Sequence, residues 1–236
     1  MSTLKINNLT LTKVDGTPLL GPLSLEIQAG EVTTLMGVSG VGKSTVLNWL
    51  IGASIPMFSV EGDAWLDEKQ VDLLPTEQRR IGILFQDDLL FPHFSVGDNL
   101  AYALPASIRG KKARRSMIDN ELANAGLADF YDRDPASLSG GQRARVSLLR
   151  ALMAEPQALL MDEPFSKLDS TLRKQFRHFV YERIRERQIP ALLVTHDSED
   201  VPEGGTVIEL LPAEAETSGK NETAKFNTAV NPIPES

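Results

Sequence analysis

Residues 37–44 combine glycines, a lysine and a hydroxyl side chain at the spacing of a phosphate-binding loop. The segment reads Gly-Val-Ser-Gly-Val-Gly-Lys-Ser and matches the pattern G-x-x-x-x-G-K-[ST]. Glycines let the backbone N–H groups turn inward around phosphate oxygens, and the following helix directs its positive end at the same anion. Lys43 would reach the β- and γ-phosphates of a nucleotide, and Ser44 would bind Mg²⁺. The alternative is a simple turn between a strand and a helix.

Two adjacent acids, Asp162 and Glu163, follow the apolar segment 158–161. Ligands of a parallel sheet gather at the carboxyl ends of its strands. Asp162 would therefore hold Mg²⁺, directly or through water, and Glu163 is placed to polarise an attacking water. The alternative is a strand end capped by solvated acids, but the phosphate loop upstream favours the paired chemical role.

Residues 138–142, Leu-Ser-Gly-Gly-Gln, resemble a second phosphate grip. Ser139 could cap a helix while the two glycines expose backbone N–H groups. One nucleotide site does not need a second phosphate loop from the same chain, so this grip makes sense if it serves a nucleotide held by another copy. The alternative is an ordinary glycine-rich helix start.

The elements around these motifs alternate between strands and helices. Residues 4–11 and 23–27 alternate apolar and polar side chains, which predicts half-buried and antiparallel strands. Further strands are predicted over 31–36, 63–66, 81–85, 158–161 and 191–194, and helices over 43–51, 142–155 and 171–187. This alternation predicts an α/β fold with a parallel sheet covered by helices on both faces.

Composition excludes several kinds of function. The 236 residues contain 24 Lys and Arg against 32 Asp and Glu, for a formal charge of −8, and this acidic balance argues against nucleic acid as the main partner. The absence of cysteine excludes disulfides, thiolate nucleophiles and cysteine-type zinc sites. No apolar run is long enough to cross a bilayer, and the first residues lack the apolar core of a secretion signal. We expect a protein that stays in the cytosol or attaches to a membrane through a partner.

The ordered set of motifs resembles the ATPase subunits of the ATP-binding cassette (ABC) family. The set comprises the phosphate loop, Gln86 after a strand, residues 138–142, the Asp162–Glu163 pair, residues 166–169 (Ser-Lys-Leu-Asp) and His196 after a strand. The resemblance covers about residues 4–211. It implies a P-loop NTPase (RecA-like) parallel-sheet core, with an N-terminal antiparallel β subdomain and an inserted α-helical subdomain. The implied domains are a core of 1–86 plus 138–211 and a helical subdomain of 87–137, followed by a polar tail, 212–236, predicted to be disordered.

The family pattern also implies a mechanism in which two cassettes pack head-to-tail with ATP and Mg²⁺ between them. Catalysis would fall to Glu163, His196 and Gln86, with Asp169 organising the opposing site. The metal would be held by Ser44, Gln86 and Asp162. The nucleotide would be bound by Gly37, Ser39, Gly40, Gly42, Lys43, Ser44, Thr45, Ser139, Gly140, Gly141, Gln142 and Asp169. For Gln86 and His196 alone, a satisfied loop amide and a surface histidine remain the alternatives.

Residues 84–104 are similar to bacterial importer ATPases of the thiamine, iron or polyamine type. Leu89, Leu90, Phe91 and Phe94 would suit a groove that docks a permease, although the core of a helical lobe is an equal alternative. The implied partners are a second cassette, integral membrane permease subunits and, indirectly, a periplasmic binding protein. The implied location is peripheral, at the cytoplasmic face of the inner membrane. A soluble ABC ATPase and a nucleotide-switched interaction module remain alternative functions.

Two features of the sequence depart from the family pattern. Segment 13–19 has no aromatic side chain where family members usually stack adenine, which predicts weaker ATP binding or looser base selectivity. Lys167 stands where small or polar residues are commoner. A basic cluster over 109–115 is interpreted as a solvated helix face, with anionic lipid head groups as the alternative.

Overall fold

Two β-sheets and six α-helices form the part of the chain that the computed structural model describes, residues 2–211 and 229–232. The strands are β1 Leu4–Lys13, β2 Pro18–Ile27, β3 Val32–Gly37, β4 Phe58–Leu66, β5 Lys69–Gln70, β6 Ile81–Leu84, β7 Ala158–Asp162, β8 Ala191–Val194, β9 Thr206–Leu210 and β10 Ala229–Pro232. The helices are α1 Lys43–Ile51, α2 Thr76–Arg79, α3 Val96–Ala103, α4 Lys111–Asn124, α5 Gly140–Met153 and α6 Ser170–Arg187.

The larger sheet has the strand order β10-β9-β3-β8-β7-β6. All neighbours from β9 to β6 pair in parallel, and only β10 is antiparallel. Strands β7 and β8 are apolar and buried along almost their whole length, because helices cover both faces of a parallel sheet. The fold class expected from the alternating pattern, α/β with a parallel sheet, is therefore confirmed.

The smaller sheet is antiparallel, with the order β2-β1-β4-β5. Its strands β1 and β2 bury alternate side chains, as the sequence predicts, with an irregularity in β1 between Ile6 and Leu9 where the register shifts. The predicted strand at 63–66 is longer in the structure and starts at Phe58. The extension exists because β4 pairs with the far end of β1, where Lys13 is opposite Phe58. Strand β9, which sequence reasoning missed, pairs in parallel with β3.

Residues 87–137 contain α3, α4 and a 3₁₀ turn at Pro135–Ser137. Their buried side chains, such as Leu100 and Ile118, join α5 and α6 in one apolar core, while a second core lies between the two sheets around α1. The domain boundaries stay a prediction. None of the helices in the described ranges is long and apolar enough to cross a membrane.

Four residues of the tail that the sequence predicts to be disordered, 229–232, lie within the described residues. Residues 229–232 form β10, which pairs with β9, because an edge strand offers unpaired backbone N–H and C=O groups to any segment that reaches it. The rest of that tail, residues 212–228 and 233–236, lies outside the described residues.

Two members of the basic cluster serve the fold. The Arg114 guanidinium donates to the carbonyl oxygens of Ile108 at 3.1 Å and Pro105 at 3.3 Å. Arg115 forms ion pairs with Asp119 at 3.0 Å and Asp132 at 3.1 Å. These contacts tie α4 to its flanking loops, so only part of the cluster is available to a solvated face or a lipid.

Candidate functional site

The loop between β3 and α1 has a backbone that only glycine tolerates. Gly37 has φ 149°, and a Cβ there would lie 2.5 Å from the carbonyl oxygen of Leu210. Gly42 precedes α1 with φ 106°, in the left-handed region that side chains disfavour. A chain that passes so close to β9 and turns so sharply leaves its N–H groups, together with the first turn of α1, facing one anion-sized space.

Lys43 is only 7% exposed although it carries a charge. Its ammonium donates to the carbonyl oxygens of Gly37 at 2.7 Å and Val38 at 3.0 Å. These bonds use two of the three ammonium donors and offset the cost of burying the charge. The lysine is thereby held over the loop, at the place where a phosphate would meet the helix N-terminus.

Ser44 and Asp162 bring a hydroxyl and a carboxylate together at the edge of the larger sheet. Ser44 Oγ donates to Asp162 Oδ1 at 3.1 Å. Burial raises the pKa of the Asp162 carboxyl, and the neighbouring Glu163 charge raises it too, while the Ser44 hydrogen bond lowers it. Oxygen ligands of this kind fit Mg²⁺, which is commonly bound by one or two protein oxygens together with phosphates and water.

Within residues 2–211 and 229–232, no group of three or more His, Asp or Glu side chains could hold a metal ion by itself. A cation at Ser44 and Asp162 would therefore depend on a phosphate ligand.

Glu163 and His196 lie side by side at the carboxyl ends of β7 and β8. With Nδ1 protonated, His196 donates to Glu163 Oε1 at 3.1 Å. The Glu163 backbone has φ 45°, a sparsely populated region for a residue with a side chain, and its N–H donates to the Val194 carbonyl at 2.9 Å. A carboxylate and an imidazole in contact can accept, hold and pass on a proton.

A buried ion cluster holds the loop that carries His196. The Asp200 carboxylate, 1% exposed, accepts from Arg173 Nε at 2.8 Å and from Thr195 Oγ1 at 2.9 Å. Arg173 also forms an ion pair with Asp197 at 2.8 Å. Thr195 and Asp197 flank His196 directly, so this cluster holds the backbone on both sides of His196. Sequence reasoning missed the cluster, because its members come from two distant segments and carry no local pattern.

Gln86 is linked to the Glu163 backbone through the side chain of Ser166. Its Nε2 donates to Ser166 Oγ at 3.0 Å, and Ser166 Oγ donates to the Glu163 carbonyl at 2.8 Å. The neighbouring pair, Asp87 and Lys167, forms a salt bridge. The unusual Lys167 thus joins the segment after Gln86 to the segment after Glu163.

The phosphate loop, Glu163 and His196 line an open cleft of about 600 Å³, a volume that suits a nucleotide. Of the predicted site residues, Ser39, Gly40, Gly42, Lys43, Ser44, Thr45, Glu163 and His196 line it. Asp162 is hydrogen-bonded to Ser44, which lines the cleft. The Gly37 carbonyl accepts a hydrogen bond from Lys43, another lining residue. The other wall comes from the smaller sheet and consists of Lys13, Leu19 and Phe58.

The motif at 138–142 lies apart from that cleft. Ser139 Oγ accepts from the Gln142 N–H at 3.3 Å, and Gln142 Oε1 accepts from the Ser139 N–H at 2.9 Å, which makes a capping box at the start of α5. Asp169 caps α6 by accepting from the N–H groups of Thr171 and Leu172 at 3.1 and 3.0 Å. Among the described residues, neither motif contributes to the cleft lining. Within one chain, the predicted second phosphate grip at Ser139 is therefore separate from the phosphate loop.

An aromatic patch follows the segment after Gln86. Phe91, Phe94 and Tyr102 are 39%, 40% and 72% exposed, and the ring centroid of Phe91 lies 5.4 Å from that of Phe94 and 5.2 Å from that of Tyr102. Leu89 is also exposed, whereas Leu90 packs against the helical core. We call Leu89, Phe91, Phe94 and Tyr102 the aromatic patch.

Comparison with known proteins agrees with the cleft and its motifs. The family model described as "ABC transporter" matches residues 20–166. The chain is 50% identical over 207 residues to the uncharacterized ABC transporter ATP-binding protein YnjD of Escherichia coli, covering 88% of this chain and 94% of that protein.

Relatives with a stated cargo are more distant. The chain is 42% identical to the Fe(3+) ions import ATP-binding protein FbpC of Rhizobium etli, over 75% of this chain and 50% of that protein. It is 40% identical to the spermidine/putrescine import ATP-binding protein PotA of Marinobacter nauticus, over 84% of this chain and 52% of that protein. The chain thus spans about half the length of these two relatives.

The family assignment rests on the site and on the comparisons together. A phosphate loop, a carboxylate pair and a histidine lie around one cleft, and the family model matches more than half of the chain. This chain therefore belongs to the ATP-binding proteins of the ABC transporter family, which are ATPases.

Proposed function

We propose that this chain is the ATP-hydrolysing subunit of a bacterial ABC importer and that two cassettes act as a head-to-tail dimer. The observation that carries the dimer is the separation described above: the cleft holds one phosphate-binding motif, and the capping box at Ser139 lies outside it. Two grips that cannot reach one nucleotide within a chain can do so across two chains related by a two-fold axis. ATP would then join the halves.

Within one half-site, each residue has a distinct task. Lys43 and the loop N–H groups would bind the phosphates, and Ser44 and Asp162, which are already hydrogen-bonded to each other, would hold Mg²⁺. The metal would neutralise phosphate charge as the terminal phosphoryl group departs. Glu163 accepts the proton of the attacking water, and His196, which is already in contact with Glu163, would also contact the γ-phosphate.

The remaining residues complete the site from outside the cleft. Gln86 is hydrogen-bonded to Ser166, which is hydrogen-bonded to the Glu163 carbonyl. A movement of Gln86 would therefore change the position of the general base Glu163. On the partner cassette, Ser139, Gly140 and Gly141 would present the start of α5 to the γ-phosphate. Asp169 would adjust the opposite site through the cap of α6.

The importer role rests on the aromatic patch and on the relatives. Exposed rings that pack on one another form an apolar surface suited to a short permease helix. Gln86 lies a few residues before this surface, which gives a short path between docking and hydrolysis. FbpC and PotA are import proteins with different cargoes, so we propose the importer class without a cargo. The subunit would bind peripherally at the cytoplasmic face of the inner membrane, and a periplasmic binding protein would act through the permease.

Mixing two inactive variants tests the dimer. Lys43→Ala removes the phosphate loop's cation, and Ser139→Arg blocks the second grip. In a head-to-tail dimer, one copy of each variant forms one intact site and one doubly damaged site. Each variant alone should be inactive, and a 1:1 mixture should recover about a quarter of the wild-type ATPase rate through random pairing.

The control is Ser95→Arg, which removes the N-cap of α3 in the same way but far from the nucleotide. It should keep its ATPase activity and should not rescue Lys43→Ala beyond its own contribution. A mixture of Lys43→Ala and Ser139→Arg that stays inactive would show that the second grip does not act across the dimer.

A further inference from the structure

The wall of the cleft that faces the phosphate loop contains an aromatic ring. The segment 13–19 has none, which is why the sequence predicts no base-stacking side chain. In the structure, Phe58 stands opposite Lys13 in the β1–β4 ladder and lines the same cleft as Lys43 and Thr45. The ring reaches this wall from the start of β4.

Leu19 shows where this wall meets the phosphate loop. A Cβ added at Gly42 would lie 3.3 Å from Leu19 Cδ2, so Leu19 packs directly beside the start of α1. Phe58 belongs to the same wall, whereas Glu163 and His196 belong to the larger sheet. A nucleotide with its phosphates on the loop and its γ-phosphate toward Glu163 would therefore place its base against the smaller sheet.

The chemistry of the wall fits a flat, weakly polar group. Phe58 is half-buried, so one part of the ring stays accessible from the cleft. Among the lining residues of the described chain, it is the only phenylalanine, tyrosine or tryptophan. Its neighbours on the wall are Leu19, which is apolar, and Lys13, which adds a cation but no acceptor.

We propose that Phe58 is the nucleobase-binding residue and that it stacks on the base of the bound nucleoside triphosphate. This inference rests on the proposed function, since it requires a nucleotide in the cleft. Every base presents a π-face, so stacking by itself does not depend on base identity. Stacking on Phe58 therefore strengthens nucleotide binding but discriminates weakly between bases.

Comparing ATP with tripolyphosphate isolates the base. Both are titrated calorimetrically in the presence of Mg²⁺ against the full chain and against Phe58→Ala. Loss of one stacked base should weaken ATP binding by roughly 5- to 150-fold. Binding of tripolyphosphate, which has no base, should not change.

Two further variants separate the ring from its volume. Phe58→Trp should restore ATP affinity, and its added fluorescence should be quenched by ATP and not by tripolyphosphate. Phe58→Leu keeps an apolar side chain without a ring and should bind ATP about as weakly as Phe58→Ala. The control is Met57→Ala, because Met57 is 66% exposed and does not line the cleft; it should bind both ligands like the wild type.

The results distinguish the failure of the Phe58 proposal from the failure of the proposed function on which it rests. If the wild type binds neither ligand, the proposed function and this inference both fail. If the wild type binds ATP but Phe58→Ala binds it equally well, or if Phe58→Leu recovers full affinity, Phe58 is not a stacking residue and the proposed function stands. Equal weakening of ATP and tripolyphosphate would also overturn the inference, because it would indicate a disturbed phosphate loop.

Discussion

Without a bound cation, the charged Asp162 carboxylate lowers the stability of the folded chain. Burial raises its pKa, because a charged group loses solvation when it is placed among the strand ends of the larger sheet. The hydrogen bond from Ser44 compensates in part. A divalent cation beside the carboxylate would favour its charged form, so a position that costs stability becomes one that binds Mg²⁺.

The variant Asp162→Asn should therefore be more stable than the wild type without nucleotide and Mg²⁺. We expect the midpoint of thermal unfolding at pH 7 to rise by roughly 1–3 °C, while Mg²⁺-dependent ATP binding is lost. A carboxyl whose pKa is raised by folding makes the chain less stable as the pH rises through that pKa. The advantage of Asp162→Asn should thus shrink as the pH is lowered. A variant that unfolds earlier than the wild type at pH 7 would contradict this view.

At the scale of elements, the loop after β8 depends on α6. Arg173 projects from α6 to the buried Asp200 and also pairs with Asp197, and these acids lie on either side of the short turn that follows His196. Tyr181, from the next turns of the same helix, donates to the Asp200 carbonyl. The loop that carries His196 is therefore held in place by contacts from one helix.

Replacing Arg173 by Ala leaves the buried Asp200 carboxylate without its main partner. The free energy of unfolding should fall by about 3 kcal/mol in urea titrations, because an uncompensated buried charge is costly. ATP hydrolysis at low temperature, where the chain stays folded, should fall as well, since His196 loses its support. Lys5→Ala breaks an exposed ion pair with Glu26 and serves as the control; it should change neither quantity noticeably. A stability equal to the wild type would show that Arg177, 3.7 Å from Asp200, replaces Arg173.

At the scale of the whole molecule, the chain presents its cleft and its aromatic patch on different surfaces. The segment 86–89 connects them through four consecutive contacts. Gln86 bonds to Ser166, and Asp87 pairs with Lys167. Asp88 pairs with Arg143 at 2.8 Å, and the Leu89 carbonyl accepts from Arg150 at 2.8 Å. This segment is therefore joined both to the loop after Glu163 and to α5, as the proposed coupling between permease docking and hydrolysis would require.

The double variant Phe91→Asp and Phe94→Asp tests this arrangement. Charges on the aromatic patch should abolish binding to the permease in co-purification from membranes, because an apolar docking surface does not accept unpaired carboxylates. The ATPase activity of the isolated subunit should survive, since both rings are exposed. Loss of both properties together would instead assign the rings to the helical core.

Local chemistry made much of this protein predictable from its sequence. The phosphate loop depends on backbone angles and on residues adjacent in the chain. Its glycines, Lys43 and Ser44 therefore predict it directly from the sequence. Strands β1 and β2 and the buried strands β7 and β8 follow from the alternation or continuity of apolar residues. The ordered motifs then identified the family.

Only the tertiary structure decided which distant residues meet. Phe58 lines the cleft because β4 pairs with the end of β1, where Phe58 is opposite Lys13. No sequence pattern near residue 58 predicts this register of the β1–β4 pair. The Arg173–Asp200 cluster and the Asp87–Lys167 pair each join segments tens of residues apart. Contacts of this kind depend on the packing of helices and sheets around two shared cores, whereas a sequence pattern reports mainly the chemistry of neighbours along the chain.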